Sequence, residues 1–312
     1  MARPISAWVG DKEMPMPKAT PMAVLVATDL SASSRHAAHR AAMLARQLGG
    51  SLDLLHVLES TMLQDVRRML GDAESDMESR IEAQCRDALA QLASAIDTHQ
   101  QIKGNVHLFQ GPRLSGITHT AQRLAARLLV VGASSAGYLR HWLLGATADR
   151  LLRKTTLPIL FVRQPAHEPY RNVLVPIDLS ECSATAVAFA RMIAPQARLM
   201  LQHACAMPFE GKMRFAGVSD DALVRYRQSA HRDALTGLEK VATDAGLVPD
   251  QWLPVVTQGD PAHDILEQQV ELDADLIVLG KQGSGMTGER LLGSVTQQVL
   301  GQTHCDIVVT PC

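Results

Sequence analysis

Asp29-Leu30-Ser31 closes one apolar run, Ala23-Val24-Leu25-Val26-Ala27-Thr28, and Asp178-Leu179-Ser180 closes another, Val173-Leu174-Val175-Pro176-Ile177. The two aspartates stand 149 residues apart, Gly132 and Gly280 stand 148 apart, and so do Gly145 and Gly293. So steady an offset marks a duplicated unit, and it constrains the fold before any motif is read. Each copy must bury a core of its own, and 46% hydrophobic residues over 312 positions is enough for two such cores. The break falls at Gln164-Pro165-Ala166-His167-Glu168-Pro169, a proline-bearing stretch. The expected organisation is a flexible tail over residues 1–20, a first domain over 21–163, a linker over 164–170 and a second domain over 171–312.

Within each copy, short apolar runs alternate with helical periodicity. Ala23 to Thr28, Leu52 to Val57, Val106 to Phe109, Leu128 to Gly132 and Pro158 to Val162 read as strands. Between them, Ala37, Ala38, Ala41, Leu44, Ala45 and Leu48 share a helix face, as do Ile81, Cys85, Leu89, Leu92 and Ile96. A further helix is expected over Ile117 to Arg127. The second copy repeats the series, with strands at Arg198 to Ala204, Trp252 to Gln258, Asp275 to Gly280 and Asp306 to Thr310. Its helices are expected over Asp220 to Ala245 and Ala262 to Leu272. This alternation predicts an α/β protein of two tandem doubly wound, Rossmann-like domains. Each would be a five-stranded parallel sheet flanked by helices.

One strand end carries chemistry. Gly280-Lys281-Gln282-Gly283 follows an apolar strand, and nine residues later Gly293-Ser294 opens a helix expected over Val295 to Gly301. Glycines let backbone N–H groups approach a ligand, and a helix N-terminus favours an anion, so the arrangement suits a phosphate. Ser294 with Gln297 has the spacing of a capping box. Lys281 either meets that phosphate or is a solvated loop lysine. The literal G-x-G-x-x-G of Gly283 to Gly288 is a decoy, because it does not open a helix directly after a strand.

Other function classes find little support. A net charge of −2 gives no electrostatic footprint for nucleic acid. No apolar run reaches the roughly 18 residues of a membrane span. The five cysteines are scattered, which fits a reducing, cytoplasmic setting and argues against a disulfide framework or a zinc site. His36 and His39 read as solvated helix surface rather than metal ligands, and no metal site is expected.

The order strand-Asp, helix, strand-His, long helix, strand-Gly-x-Pro, helix, strand-Gly-x-x-Gly, nine residues, Gly-Ser closely resembles the universal stress protein family, as a tandem member. The resemblance spans nearly all of residues 21–312. The ATP-binding branch of that family has G-x2-G-x9-G-[S/T], which the second copy matches at Gly280, Gly283, Gly293 and Ser294. The resemblance implies ATP over the C-terminal strand ends, with or without Mg2+, and accommodates ADP or AMP. Asp178 would contact adenosine, and the backbone near Pro176, Ile177 and Ala204 would line its pocket. Gly280, Gly283, Gly293, Ser294, Val295 and Thr296 would hold phosphates and ribose.

The first copy departs from the pattern. Ser135 stands for the second glycine, Ala146 removes a hydroxyl, and Asp149 brings negative charge to the first helical turn. Its site is expected to be weak or empty. The resemblance also implies intrachain pairing of the two last strands, with a homodimer of the full chain open to it. It implies a non-enzymatic, nucleotide-binding stress regulator with no catalytic residues. The alternatives are slow ATP hydrolysis, a structural stress protein with both sites empty, or a flavin-binding electron carrier of similar topology.

Overall fold

The computed structural model describes residues 21–60, 77–133, 146–205, 207, 210–282 and 292–311. The first copy runs β1 (Ala23–Ala27), α1 (Ala32–Gln47), β2 (Ser51–Leu58), α2 (Met77–Gln100), β3 (Gly104–Gln110), α3 (Arg113–Arg123), β4 (Leu128–Gly132), α4 (Ala146–Lys154) and β5 (Ile159–Val162). The second runs β6 (Asn172–Pro176), α5 (Cys182–Ile193), β7 (Arg198–Ala204), α6 (Glu210–Phe215), α7 (Asp220–Asp244), β8 (Trp252–Thr257), α8 (Pro261–Glu271), β9 (Leu276–Gly280), α9 (Ser294–Gln302) and β10 (Asp306–Thr310).

All ten strands join one sheet in the order β3-β2-β1-β4-β5-β10-β9-β6-β7-β8. Neighbours are parallel except β5 and β10, which meet antiparallel with Val308 opposite Leu160. Within each copy the order is that of a doubly wound sheet. The chain steps outward from β1 through β2 to β3, then returns to the other side of β1 at β4. The second copy does the same about β6. Two switch points result, between β1 and β4 and between β6 and β9.

The strands are apolar almost without interruption because both faces are covered. Val24, Leu25 and Val26 are fully buried, and so are Leu276, Ile277 and Val278. One core lies under α1, α2, α5 and α7, and contains Ala41, Leu92, Val187 and Leu238. The other lies under α3, α4, α8 and α9, and contains Ile117, Leu152, Ile265 and Leu300. The alanine face of α1 lets it lie close on the sheet. Ser31 caps its start by accepting from the Ser34 N–H, and Gly49, at φ +59°, ends it.

Three readings of the sequence need correction. The helix expected over Ile117 to Arg127 sits four residues earlier, at Arg113–Arg123. Pro112 precedes its first residue, and the backbone at Ala125 turns left-handed with φ +47°. The short α6 was not anticipated. Cys182 is disulfide-bonded, an exception to the argument from scattered cysteines, whereas Cys85, Cys205 and Cys305 are free thiols. The anticipated N-terminal tail over residues 1–20 lies outside the described residues.

A buried polar knot crosses the seam between the copies. Asp306, at the start of β10 and 2% exposed, forms an ion pair with Arg40 of α1, whose Nε lies 3.3 Å away without hydrogen-bond geometry, and accepts from the Tyr170 hydroxyl at 2.7 Å. Its other oxygen accepts the Arg163 N–H at 2.8 Å. Arg40 also lies 4.1 Å over the Tyr170 ring and donates to the Glu168 carbonyl at 2.7 Å. Desolvation pushes the Tyr170 hydroxyl well above its ordinary pKa.

Candidate functional site: the crevice between β6 and β9

The two switch points are built from equivalent residues but differ in shape. In the first copy the ladder between β1 and β4 continues to Ala27 opposite Val131. In the second, the ladder between β6 and β9 stops at Leu174 opposite Ile277. Val175 and Pro176 are left out of that register, and proline has no N–H to give a ladder. The carboxyl ends of β6 and β9 therefore part earlier.

The glycines show the same asymmetry. A Cβ on Gly132 would lie 2.8 Å from backbone atoms of Ser33 and Ser34, so the start of α1 fills the first crevice. Among the described residues, a Cβ on Gly280 would meet only the Gln282 carbonyl, at 3.3 Å. The same repeat position is thus a packing glycine against the start of α1 in one copy, whereas the described start of α5 makes no such contact with it in the other.

Around β9 the chain closes on itself. Lys281 N–H donates to the Thr310 carbonyl at 2.8 Å, and Gly293 N–H donates to the Lys281 carbonyl at 3.0 Å. The hydroxyl of Thr296 reaches the Gly280 carbonyl at 2.9 Å. These bonds bring Gly280, Gly293, Ser294, Val295 and Thr296 together at the end of one strand. Gly283, and the decoy that begins with it, lie outside the described residues, as do Ser135 and Gly145 of the first copy.

The start of α9 differs from the expected capping box. Gly293 is the N-cap, with φ −61° and ψ 144°, and as a glycine it supplies no side-chain cap. Ser294 is instead its first residue and is exposed. Side-chain caps do occur on α1, α7 and α8, from Ser31, Ser219 and Asp260. The first turn of α9 carries no acidic residue, whereas α4 has Asp149 there, bound to Arg153 at 2.9 Å. Among the described residues, the N-terminus of α9 therefore keeps its positive dipole end without a local side-chain acceptor. Lys281 is 8% exposed, so it is not the solvated loop lysine that was one of its two readings.

The other wall comes from β6 and β7. Asp178 follows β6 and is held by a turn that both copies share. Its Oδ1 accepts from Ser180 N–H at 3.0 Å, Ser180 Oγ at 2.7 Å and Ser183 Oγ at 2.9 Å. In the first copy the Asp29 carboxylate accepts from Ser31 N–H at 3.0 Å. Burial pushes the Asp29 carboxyl up, but the Ser31 and Ser34 hydrogen bonds together outweigh it and hold the group below its ordinary range. Between each aspartate and its serine sits a leucine with positive φ, +66° at Leu30 and +61° at Leu179. That conformation costs a non-glycine residue roughly 1–3 kcal/mol and persists only when the surroundings enforce it.

Ile177 N–H donates to the Gln202 carbonyl at 2.7 Å, and the Ile177 carbonyl accepts from His203 Nδ1 at 2.8 Å. A carbonyl partner requires the proton on Nδ1, and His56 makes the same bond to Thr28 in the first copy. The Ile177 N–H is thus spent and Pro176 has none to give, so these two residues supply shape at the strand end rather than free donors.

Gln202 escaped the sequence reading. It is 1% exposed, and both amide atoms lack a hydrogen-bond partner among the described residues. It sits level with Pro176 of the neighbouring strand. Its signal was a lone amide inside the apolar Leu199-Met200-Leu201 strand, where the first copy has Leu55.

The model of the universal stress protein family matches this chain twice, over residues 22–163 and 169–311. A universal stress protein of Thermus aquaticus is 31% identical over 146 residues, 45% of this chain and 98% of that protein. A universal stress protein of Mycobacterium tuberculosis is 28% identical over 193 residues, 59% of this chain and 61% of that protein's length. Among solved structures, a universal stress protein from Archaeoglobus fulgidus has a TM-score of 0.67 at 19% identity, covering 93% of this chain and 98% of that one. A putative universal stress protein from Pseudomonas aeruginosa has a TM-score of 0.59 at 17% identity, covering 94% of each. Two family matches in one chain, laid on a mostly parallel sheet flanked by helices, place this protein in the universal stress protein family as a tandem, two-domain member.

Proposed function

We propose that the second domain binds an adenine nucleotide, ATP in the first instance, in the crevice between β6 and β9. The bound nucleotide then sets the conformation or partner affinity of a stress-response regulator. The observation that carries this reading is the asymmetry of the two switch points. One is filled by the start of α1. At the other, no described residue but Gln282 crowds the glycine, and the first turn of the helix beside it carries no acid. Gly280, Gly283, Gly293, Ser294, Val295 and Thr296 hold the phosphates and ribose, with Asp178 toward adenosine and Pro176, Ile177 and Ala204 along the base. Mg2+ would ride on the phosphates. ADP and AMP fit the same groups with fewer charges at the helix end.

Binding is favoured over turnover because Asp178, the acid at the crevice, is committed to three serine hydrogen bonds that fix its orientation. Slow hydrolysis remains the second reading, and phosphate release from bound ATP measures it. The β5–β10 seam serves as an intrachain equivalent of dimerisation, burying two edges that would otherwise invite aggregation. The setting proposed is cytoplasmic. No described helix is long and apolar enough to cross a membrane.

Calorimetric titration with ATP tests the site. Gly293→Val is expected to lower affinity by about a hundredfold, roughly 2.8 kcal/mol, because a branched side chain would occupy the phosphate's approach. The φ of −61° at Gly293 is open to any residue, so the backbone does not forbid the substitution. Equal affinity in both proteins would reject the assignment.

Gln202→Leu installs the first copy's residue and removes two orphaned buried polar atoms. It is expected to raise stability by about 1–3 kcal/mol, read from melting curves of the two proteins. A melting temperature at or below wild type would count against the orphaned amide as a cost to the fold.

A further inference from the structure

Among the described residues the ten-stranded sheet ends on two unpaired edges, β3 in the first copy and β8 in the second. They are equivalent strands. Gly104 pairs with Leu52 as Trp252 pairs with Leu199, which aligns Val106 with Pro254. The hydrogen bonds also show which backbone groups face outward. Gly111 N–H donates to the Leu58 carbonyl of β2 at 2.9 Å, and the Thr257 carbonyl accepts from Cys205 beyond β7 at 2.8 Å. Strand residues alternate sides, so Val106, Leu108 and Gln110 turn their N–H and C=O groups away from the sheet. In β8 the corresponding positions are Pro254 and Val256. Pro254 thus removes an outward donor from one edge, a recognised way to blunt it. The seven residues of β3 contain no proline and no lysine.

A groove of about 460 Å3 follows that unblunted edge. Val106 and His107, which face opposite sides of the sheet, both line it, so the groove wraps the strand. Its flanks are Arg86 of α2 and His119 and Arg123 of α3. Arg86 is offset by Glu82, 2.6 Å away, which also accepts from Gln110. Arg123 is different: it donates to His107 Nδ1 at 3.2 Å, and no carboxylate pairs with it among the described residues. His107 in turn donates from Nε2 to the buried Asp53 at 2.8 Å, and Asp53 also accepts from Asn105 at 3.1 Å. This relay fixes the tautomer of His107, and His107 holds a guanidinium beside the open strand without neutralising it.

We propose that the free edge of β3 is a docking site for an extended acidic peptide segment of a partner protein, which adds as an eleventh strand. Outward backbone groups of Val106, Leu108 and Gln110 supply the ladder, and Arg123 selects carboxylate side chains. A second copy of this chain is the poorer occupant, because it would set one cationic flank against another.

The test uses a fluorescein-labelled seven-residue peptide alternating glutamate and valine, with a lysine–valine peptide as control, read by anisotropy. The full chain is expected to bind the first and not the second. Val106→Pro transplants the second copy's own edge residue and is expected to weaken binding at least tenfold, with the melting curve close to wild type. Arg123→Glu is expected to weaken it by a similar factor while leaving every backbone donor in place. Hydrogen exchange should slow at Leu108 and Gln110 when the acidic peptide is added. Equal binding of both peptides, or full binding by both variants, overturns the proposal. So does a concentration-dependent dimer that Val106→Pro dissolves, which would assign the edge to self-association.

Discussion

Arg40→Ala is expected to destabilise the protein by about 3–5 kcal/mol, the usual cost of leaving a buried charge unpaired. Arg40 is 7% exposed and Asp306 2%, so neither has water to fall back on. Burial already pushes the Asp306 carboxyl above its ordinary value of 3.8, and Arg40 is the main force pulling it down. Without the guanidinium, only the hydrogen bonds from Arg163, Tyr170 and Gln164 still oppose desolvation, and the carboxyl moves further up. A carboxyl whose pKa is higher folded than unfolded binds more protons in the fold. The variant should therefore recover stability as pH falls toward 3.8 and lose it as pH rises through the folded pKa. Chemical denaturation at several pH values reads both effects.

Replacing Arg40, Tyr170 and Asp306 together with Met, Phe and Leu is expected to be neutral or stabilising by about 1–4 kcal/mol, since desolvation of an ion pair often exceeds its attraction. A loss as large as that of Arg40→Ala would mean the knot stabilises the seam outright. Because the knot ties α1 to β10, calorimetry of Arg40→Ala is also expected to split one transition into two.

Gly132→Ala and Gly280→Ala should part company although they alter the same repeat position. At Gly132 the new methyl meets the backbone of Ser33 and Ser34 at 2.8 Å, and backbone at a helix start cannot swing aside as a side chain can. Overpacking of this kind costs about 1–3 kcal/mol, and ATP affinity should not change. At Gly280 the methyl meets one loop carbonyl at 3.3 Å, so stability should move little. If the crevice holds phosphate, affinity should fall about tenfold, roughly 1.4 kcal/mol. Melting curves and ATP titrations on the two variants separate the outcomes. Reversed behaviour would place the ligand in the first copy.

The duplication, the α/β class and most strands could be read from the sequence alone, because their signal is local. Apolar runs such as Leu276 to Leu279 and the steady offset between Asp29 and Asp178 survive without coordinates. The helix bounds at Arg113–Arg123 and the N-cap at Gly293 did not, because turn geometry decides such ends within a residue or a few. The sequence also marked the second copy as the one with the fuller glycine pattern. It could not say that Gly132 is held by α1 while Gly280 is not, since that depends on how far two non-consecutive strands stay paired.

The ten-stranded continuity, the Arg40–Asp306 knot and the unequal edges belong to the tertiary structure alone. Arg40 and Asp306 are 266 positions apart in sequence, yet their side chains touch. No periodicity encodes that contact. Pro254 shows the same limit. In the sequence it argues only against a central strand, whereas in the fold it closes one border of the sheet and leaves Val106 to define the other.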